Sequence, residues 1–389
     1  MKVQEVGSTN RIKTQKTAKR WVQNHARICY SEKNWDELLN ESFMPGLVGS
    51  LIGRGHHSPF DHFFLNFYFD GPEKSLAMIF NNQGLYNTSE KSARYTVMRD
   101  ISREQKRLYD KWSSWFLSEV SQRFPKEKFH TLYNRKRPSE KSLAEKLSQE
   151  NARYMTSVFT PTKMTHSLTW RQTNIIYHWF TNFIKENENS SDEFKGKLAG
   201  AMKGYTESDL IKKWIIDEAQ VKMKGNIPLS FFRKPVEEHF GEDIYSTNYL
   251  GSFASLAQLQ RHRLVNYSIS SGFEKGALNG FYVPRLVEAS GKTNEWLDDL
   301  YFIARTDFPQ AQLLNIGERG YRENLSAKVE ERECGLAQLE TARIVDNLLK
   351  SYSNFIPDMS NLRKPACNNG GCEKGGCTFG AKNYLERLI

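Results

Sequence analysis

Gly55-His56-His57-Ser58-Pro59-Phe60-Asp61-His62 runs directly into Phe63-Phe64-Leu65-Asn66-Phe67-Tyr68-Phe69, and Asp70-Gly71-Pro72 closes the run. An aromatic-rich stretch of this length, bounded by turn formers, reads as a β-strand. Behind it, residues 73–82 read as helix. Ahead of it, residues 15–45 carry Trp21, Val22, Ala26, Ile28, Leu38 and Leu39 at helical spacing. Met44–Ile52 predicts a second, shorter helix before the Gly53-Arg54-Gly55 turn. Helices and a strand in this succession make an α+β class the expectation.

Residues 99–150 are charged and helical, with Trp112, Trp115, Phe116 and Val120 on one face, and read as an inserted helical hairpin. Glu186–Phe194 is rich in Asn and Ser and reads as a linker or surface loop. From about Asp217 the pattern restarts faintly. Pro235–His239 precedes a helix over Phe253–Arg263, much as Pro59–His62 precedes the helix over 75–82. The expected organisation is a half over 1–195 that carries the 99–150 insertion, a half over 196–350, and a Cys/Gly-rich tail over 351–389.

At 389 residues with 39% apolar and 13% aromatic content, the chain has material for two ordinary cores. No stretch approaches the ~18 consecutive apolar residues of a membrane span. Met1–Arg20 is polar and basic without an apolar core, so it reads as a frayed arm more readily than as a targeting segment. Five cysteines in a chain this long form no disulfide framework, which favours a reducing, cytoplasmic setting. The net charge of +10 implies polyanionic partners, whether nucleic acid, nucleotides or phosphorylated cofactors.

Four motifs carry candidate chemistry. His56, His57, Asp61 and His62 cluster within seven residues; metal ligation is one reading, a capped loop the other. Ser89-Glu90-Lys91-Ser92-Ala93-Arg94-Tyr95 places hydroxyl, carboxylate and guanidinium at alternate positions, a pattern that suits a phosphate and also occurs on plain surfaces. Gln258-Leu-Gln260-Arg261-His262-Arg263 ends an apolar helix with concentrated positive charge, either a phosphate site or a basic helix cap. Ala304-Arg305 with Pro309 and Arg332 ahead of Ala337-Gln338-Leu339-Glu340 complete the set; the last segment reads as an amphipathic helix.

In this order the motifs resemble the flavin-dependent thymidylate synthase (ThyX) family. Ala26-Arg27-Ile28-Cys29-Tyr30 is similar to that family's Ala-Arg-x-x-Tyr, and His56–His62 to its His-x-Ser/Thr-Pro-Phe-Glu-His, with Asp61 in place of the glutamate. The long family motif Gln-x-x-Arg-His-Arg-x-x-Ser-x-Asn-Glu-x-Ser-x-Arg-Tyr is split here. Glu90, Ser92, Arg94 and Tyr95 keep its end, whereas Gln258, Arg261, His262 and Arg263 keep its beginning. Arg305 lies four residues before Pro309 and Arg332 five before Ala337, the family's spacings. The resemblance therefore implies two such halves in one chain, each with helices packed on an antiparallel or mixed sheet. It also implies complementary losses, so that a homodimer forms a pseudo-tetramer.

The resemblance implies transfer of a one-carbon unit from methylenetetrahydrofolate to C5 of dUMP, with FAD as cofactor and NADPH as reductant, giving dTMP. Ser92, Arg94, Gln258, Arg261, Arg305 and Arg332 would gather around dUMP, with Arg94, Arg261 and Arg332 in the catalytic roles. His56, Ser58, Asp61, Glu90, Asn174, His262 and Arg263 would serve FAD, although His56 could act at the folate instead. No cysteine nucleophile and no nucleic acid is required. Two other outcomes stay open: hydroxymethylation of dUMP, and a non-catalytic nucleic-acid-binding descendant, which the basic stretch Lys126–Arg137 favours. Cys367, Cys372 and Cys377 offer three soft ligands on a Gly-rich segment, where a zinc or iron–sulfur site ordinarily wants a fourth.

Overall fold

The computed structural model describes residues 1–83, 86–98, 100–135, 137–216, 231–241, 243–355 and 387–389. Asp217, where the pattern restarts, and Cys367, Cys372 and Cys377 lie outside the described residues. The fold is α+β. By contact, the chain falls into two units: Met1–Lys91 with Pro161–Leu229, and Ser92–Thr160 with Ser230–Ile389.

The first unit holds strands β1 (Lys2–Ser8), β2 (Phe64–Glu73), β3 (Asn87–Glu90) and β4 (Pro161–Thr169) in an antiparallel sheet ordered β1-β2-β4-β3. On β2 the period of two is plain. Phe63, Leu65, Phe67 and Phe69 are fully buried on one face, while Phe64, Asn66 and Tyr68 face away. Phe69 stacks on Phe80 at 5.2 Å between ring centres, and Phe80 meets Phe180 and Tyr205 at 5.4 Å each. Those rings belong to the helices Lys74–Phe80, Trp170–Asn187 and Glu193–Thr206, so the aromatic run of β2 decides which helices cover the sheet. Asp70-Gly71-Pro72 proves to be a break in pairing within β2, with Gly71 at φ +82°, rather than the strand's end.

The helix expected over 15–45 is two: Gln15–Ile28, whose N-cap Thr14 accepts from the Thr17 amide, and Trp35–Leu39, opened by an Asn34–Glu37 capping box. Pro45–Gly53 supplies the short helix before His56.

In the second unit, β5 (His239–Phe240), β6 (Ile244–Ser252), β7 (Asn266–Ser271) and β8 (Leu313–Tyr321) form an antiparallel sheet ordered β5-β6-β8-β7, the strand order of the first sheet. The order of elements repeats as well. β2 leads into helix Lys74–Phe80 and β4 into helix Trp170–Asn187; β6 leads into helix Phe253–Leu259 and β8 into helix Arg322–Arg332.

The helices over 99–150 are Arg103–Arg123, His130–Tyr133 and Leu143–Ala152, and they group with the second unit. Trp112 explains why. Its ring meets Trp296 of helix Thr293–Ala304 edge-on at 4.8 Å, and its Nε1 donates to Asp299 at 2.9 Å. Lys111 reaches the same carboxylate at 2.5 Å. Phe116, Val120, Tyr154 and Leu300 close the same apolar cluster. Burying side chains of this size contributes about 1.5–3 kcal/mol each, more than the surface pairs around them.

Candidate active site

In the second unit, segments far apart in sequence converge. Residues 92–96 form a tight turn: the Arg94 amide donates to Ser92 Oγ at 3.3 Å, and the Thr96 amide and hydroxyl donate to the Ser92 carbonyl. The turn is tied to helix Leu143–Ala152, whose Gln149 amide donates to the Ala93 carbonyl at 3.1 Å. That anchorage directs Arg94 inward. Its Nε pairs with Glu150, and its Nη2 donates to the Leu336 carbonyl at 2.7 Å. Burial works against the Arg94 charge, but Glu150 more than offsets it and holds the guanidinium's pKa above its ordinary value.

Helix Phe253–Leu259 starts at Ser252, whose side chain accepts from the Ser255 amide and donates to Glu340. It ends in successive turns that set Gln258, Arg261 and His262 in place. Gln258 is buried; its Nε2 donates to Gln338 Oε1, and its own Oε1 has no hydrogen-bond partner among the described residues. Arg332, at the end of helix Arg322–Arg332, donates from Nη2 to the Gln258 carbonyl at 3.3 Å, while its buried Nε has no partner among the described residues. Burial, and then the nearby charges of Arg94 and Arg261, push the Arg332 pKa down despite Glu331. Beneath them Arg153, 3% exposed, donates to Gln338 and to the Ala254 carbonyl. Tyr154 joins Gln338 to the buried Glu340.

His262 has only 10% of its side chain exposed, 3.8 Å from Glu331. Burial, with Arg332 and Lys328 adding to it, lowers its pKa to about 3, so it is neutral at pH 7. Behind it Lys328 is fully buried and bonds both oxygens of Glu318, at 2.5 and 2.6 Å, while Tyr245 and Tyr249 donate to the same carboxylate. Of the remaining candidates, Arg263 is exposed. Arg305 is exposed too, its guanidinium 6.0 Å over the Phe302 ring, with no bond to the cluster among the described residues.

In the first unit, His56 sits edge-on to Tyr30 at 5.7 Å, and its buried Nδ1 has no partner among the described residues. Ser58 is exposed. Asp61 accepts from Thr169 Oγ1 at 2.8 Å and from Arg171 at 3.1 Å. His62 stacks on His25 at 4.1 Å, and burial, then His62, lowers the His25 pKa to about 4. Among the described residues no three His, Cys, Asp or Glu side chains gather as metal ligands would. Glu90 forms a buried ion pair with Lys74 and accepts from Asn81. Asn174 is committed to backbone: it donates to the Trp170 and Trp214 carbonyls and accepts from the Ile216 amide at 2.6 Å. With Ile52, His57, Phe60, Arg171 and Ile216 it lines a small apolar cavity.

The sequence reading missed Glu150, Arg153, Tyr154, Gln338 and the Glu318–Lys328 pair as parts of the site. Only the Ala-Arg-Tyr run at 152–154 and the Ala-Gln pair at 337–338 signalled any of them.

What the cluster can do follows from its charges. Arg94, Arg261 and Arg332 lie close enough to disfavour the Arg332 charge, so an anion among them would relieve a repulsion already present. The planar fork of arginine suits phosphate, and the Gln258–Gln338 amides suit the edge of a base. Residues 12–181 match the family model described as "Thymidylate synthase complementing protein". The family match takes in His56–His62, Glu90–Tyr95 and Arg153, and ends before Gln258 and Arg332.

Among solved structures, the chain is similar to Thymidylate Synthase X from Helicobacter pylori with FAD and dUMP, at 14% identity and TM-score 0.29, over 55% of this chain and 99% of that one. It is also similar to the UMP/dUMP methylase PolB from Streptomyces cacaoi bound with 5-Br dUMP, at 16% identity and TM-score 0.27, over 45% of this chain and 76% of that one. With TM-scores this low, these overlaps decide nothing about the present chain. No curated protein matches it. Among the described residues no helix is long and apolar enough to cross a membrane.

Proposed function

We propose that this protein is a flavin-dependent thymidylate synthase that transfers a one-carbon unit from methylenetetrahydrofolate to C5 of dUMP, giving dTMP. The observation that supports this reading is the meeting of Arg94 with Arg332 and Gln258 in one unit, on segments whose motifs resemble those of the flavin-dependent thymidylate synthase family. Arg94, Arg261 and Arg332 bind the dUMP phosphate and the developing charge of the pyrimidine, and Gln258 orients the base. Donors fixed in advance around a developing anion are worth about 10²–10³ in rate each. Ser92 shapes the turn that carries Arg94, and the exposed Arg305 meets the nucleotide from outside the cluster.

Toward FAD the residues fit in part. The first unit offers His56, with its unpartnered buried Nδ1, and the exposed Ser58 hydroxyl. The second offers His262 and Arg263, a neutral imidazole beside a cation. Asp61, Glu90 and Asn174 already hold protein groups, so their part is to fix the scaffold. When bound, reduced flavin supplies the hydride, with NADPH as the source of electrons. The split of the family motif between the halves supports a homodimer that works as a pseudo-tetramer, and the cysteine usage supports a cytoplasmic setting.

The test is direct. The purified protein should be yellow, bleach with NADPH, and change its flavin spectrum on adding dUMP. Mass analysis should return dTMP. Hydroxymethyl-dUMP would move the chemistry to the related hydroxymethylase. A colourless protein that binds DNA with a steep salt dependence would sink the enzyme reading.

A further inference from the structure

The segment after Arg332 is gripped from a part of the chain that the functional reading does not use. Arg387 donates from Nη1 to the Gly335 carbonyl and from Nη2 to the Ala337 carbonyl. Between them, the Leu336 carbonyl accepts Arg94 Nη2 at 2.7 Å. Three successive carbonyls thus each receive a guanidinium N–H, and the next residue, Gln338, takes Arg153 on its side-chain oxygen. Arg387 is itself anchored. It is 6% exposed, and two residues on, Ile389 is 3% exposed in the apolar cluster of Tyr154, Ala254, Phe281 and Trp296, against which Leu388 also packs. Burial disfavours the Arg387 charge and Glu150 supports it, which places this guanidinium in the same electrostatic neighbourhood as Arg94.

We propose that Arg387 is a positioning residue of the nucleotide site: it pins residues 335–337 so that the carbonyl holding Arg94, and the amide of Gln338 beside Gln258, keep their places. A fork that bonds two carbonyls two residues apart is a task for arginine; lysine is a single point donor. This inference rests on the reading of the cluster as a dUMP site. It has one practical consequence. Arg387 follows Cys367, Cys372 and Cys377 in sequence, so a truncation near Asn361 removes the clamp along with the cysteines and cannot assign a loss to metal binding.

The experiment compares the full chain with Arg387→Ala and Arg387→Lys, by hydrogen exchange and by dUMP titration. The Leu336 and Ala337 amides are bonded to Cys334, so their exchange reports the segment's order. Arg387→Ala should speed that exchange and weaken dUMP binding, each by about tenfold, as expected for loss of charged hydrogen bonds. Added guanidinium should restore part of the affinity, and Arg387→Lys should fall between. If the alanine chain is unfolded by circular dichroism, the lysine variant carries the same test. Unchanged exchange over 335–338 overturns the clamp. Faster exchange with unchanged dUMP affinity overturns the positioning role and leaves only a structural one. A wild-type chain that fails to bind dUMP overturns the reading of the site, and with it Arg387's role there, while the exchange arm still decides the clamp.

Discussion

Arg94 donates its Nη2 hydrogen bond to the carbonyl of Leu336, 242 positions further along the chain, at 2.7 Å. Its Nε is held by Glu150, so one guanidinium joins the turn at 92–96, helix Leu143–Ala152 and the segment after Arg332. Everything proposed for the nucleotide site depends on that junction.

Arg94→Ala should therefore cost both binding and stability. Loss of a phosphate-binding guanidinium should weaken dUMP by about a hundredfold, from charged hydrogen bonds worth about 1.5–3 kcal/mol each. Glu150, 4% exposed, loses its paired guanidinium. Breaking a buried pair costs about 3–5 kcal/mol, and the exposed edge of Arg94 puts this case at the lower end. Calorimetric titration and a urea melt read the two effects separately. Equal dUMP affinity in mutant and wild type would remove Arg94 from the site.

Lys328→Met tests the scaffold behind His262. Lys328 and Glu318 are both fully buried, and removing the cation leaves Glu318, among the described residues, with the Tyr245 and Tyr249 hydroxyls. The single variant should lose about 3–5 kcal/mol, and adding Glu318→Gln should recover much of it. Denaturant unfolding of the two single variants and the double variant gives the coupling. A double variant no better than the singles would contradict the pairing.

The histidines set an acid limit. Burial, together with Arg332 and Lys328, puts His262 at about 3 in the fold, against about 6.5 for an ordinary histidine. Between those values the unfolded chain binds the proton and the folded chain does not. The stability contributed is therefore whole above about pH 6.5 and is lost progressively as pH falls toward 3. His25, at about 4, works in the same direction. The urea midpoint should drop on acidification from pH 7 to 4, and a His262→Gln chain should drop less steeply. A midpoint that rises over this range would reverse the sign of the argument.

His56→Ala probes the flavin assignment in the first unit. His56 makes no side-chain hydrogen bond to the described residues, only an edge contact with Tyr30, so its loss should leave the unfolding free energy within about 0.5 kcal/mol of wild type. The flavin absorbance retained per chain should fall by about tenfold, a single hydrogen bond's worth. Full flavin content in this variant would point to the folate role instead.

The strand at Phe64–Glu73, the helices around it and the α+β class were legible because each leaves a local period in the chain: two along β2, near 3.6 along the helix Gln15–Ile28. The order of the motifs, and the break between the Ser92–Arg94 and Gln258–Arg263 pieces, could likewise be read residue by residue. Which helices gather in which unit could not. Trp112 chooses Trp296 through edge contacts, and a tryptophan on an amphipathic face carries no record of the ring it will meet. The same holds for the site. Without the family motifs, Arg94 and Arg332 look, like Arg387, like surface cations in a basic chain until Leu336, Gln258, Gly335 and Ala337 present carbonyls to them. Backbone carbonyls are present at every residue, so no side-chain pattern marks the ones that will be turned toward a buried charge. The sequence determined the chemistry on offer, and only the tertiary fold decided which charges share one buried place, because that depends on long-range packing.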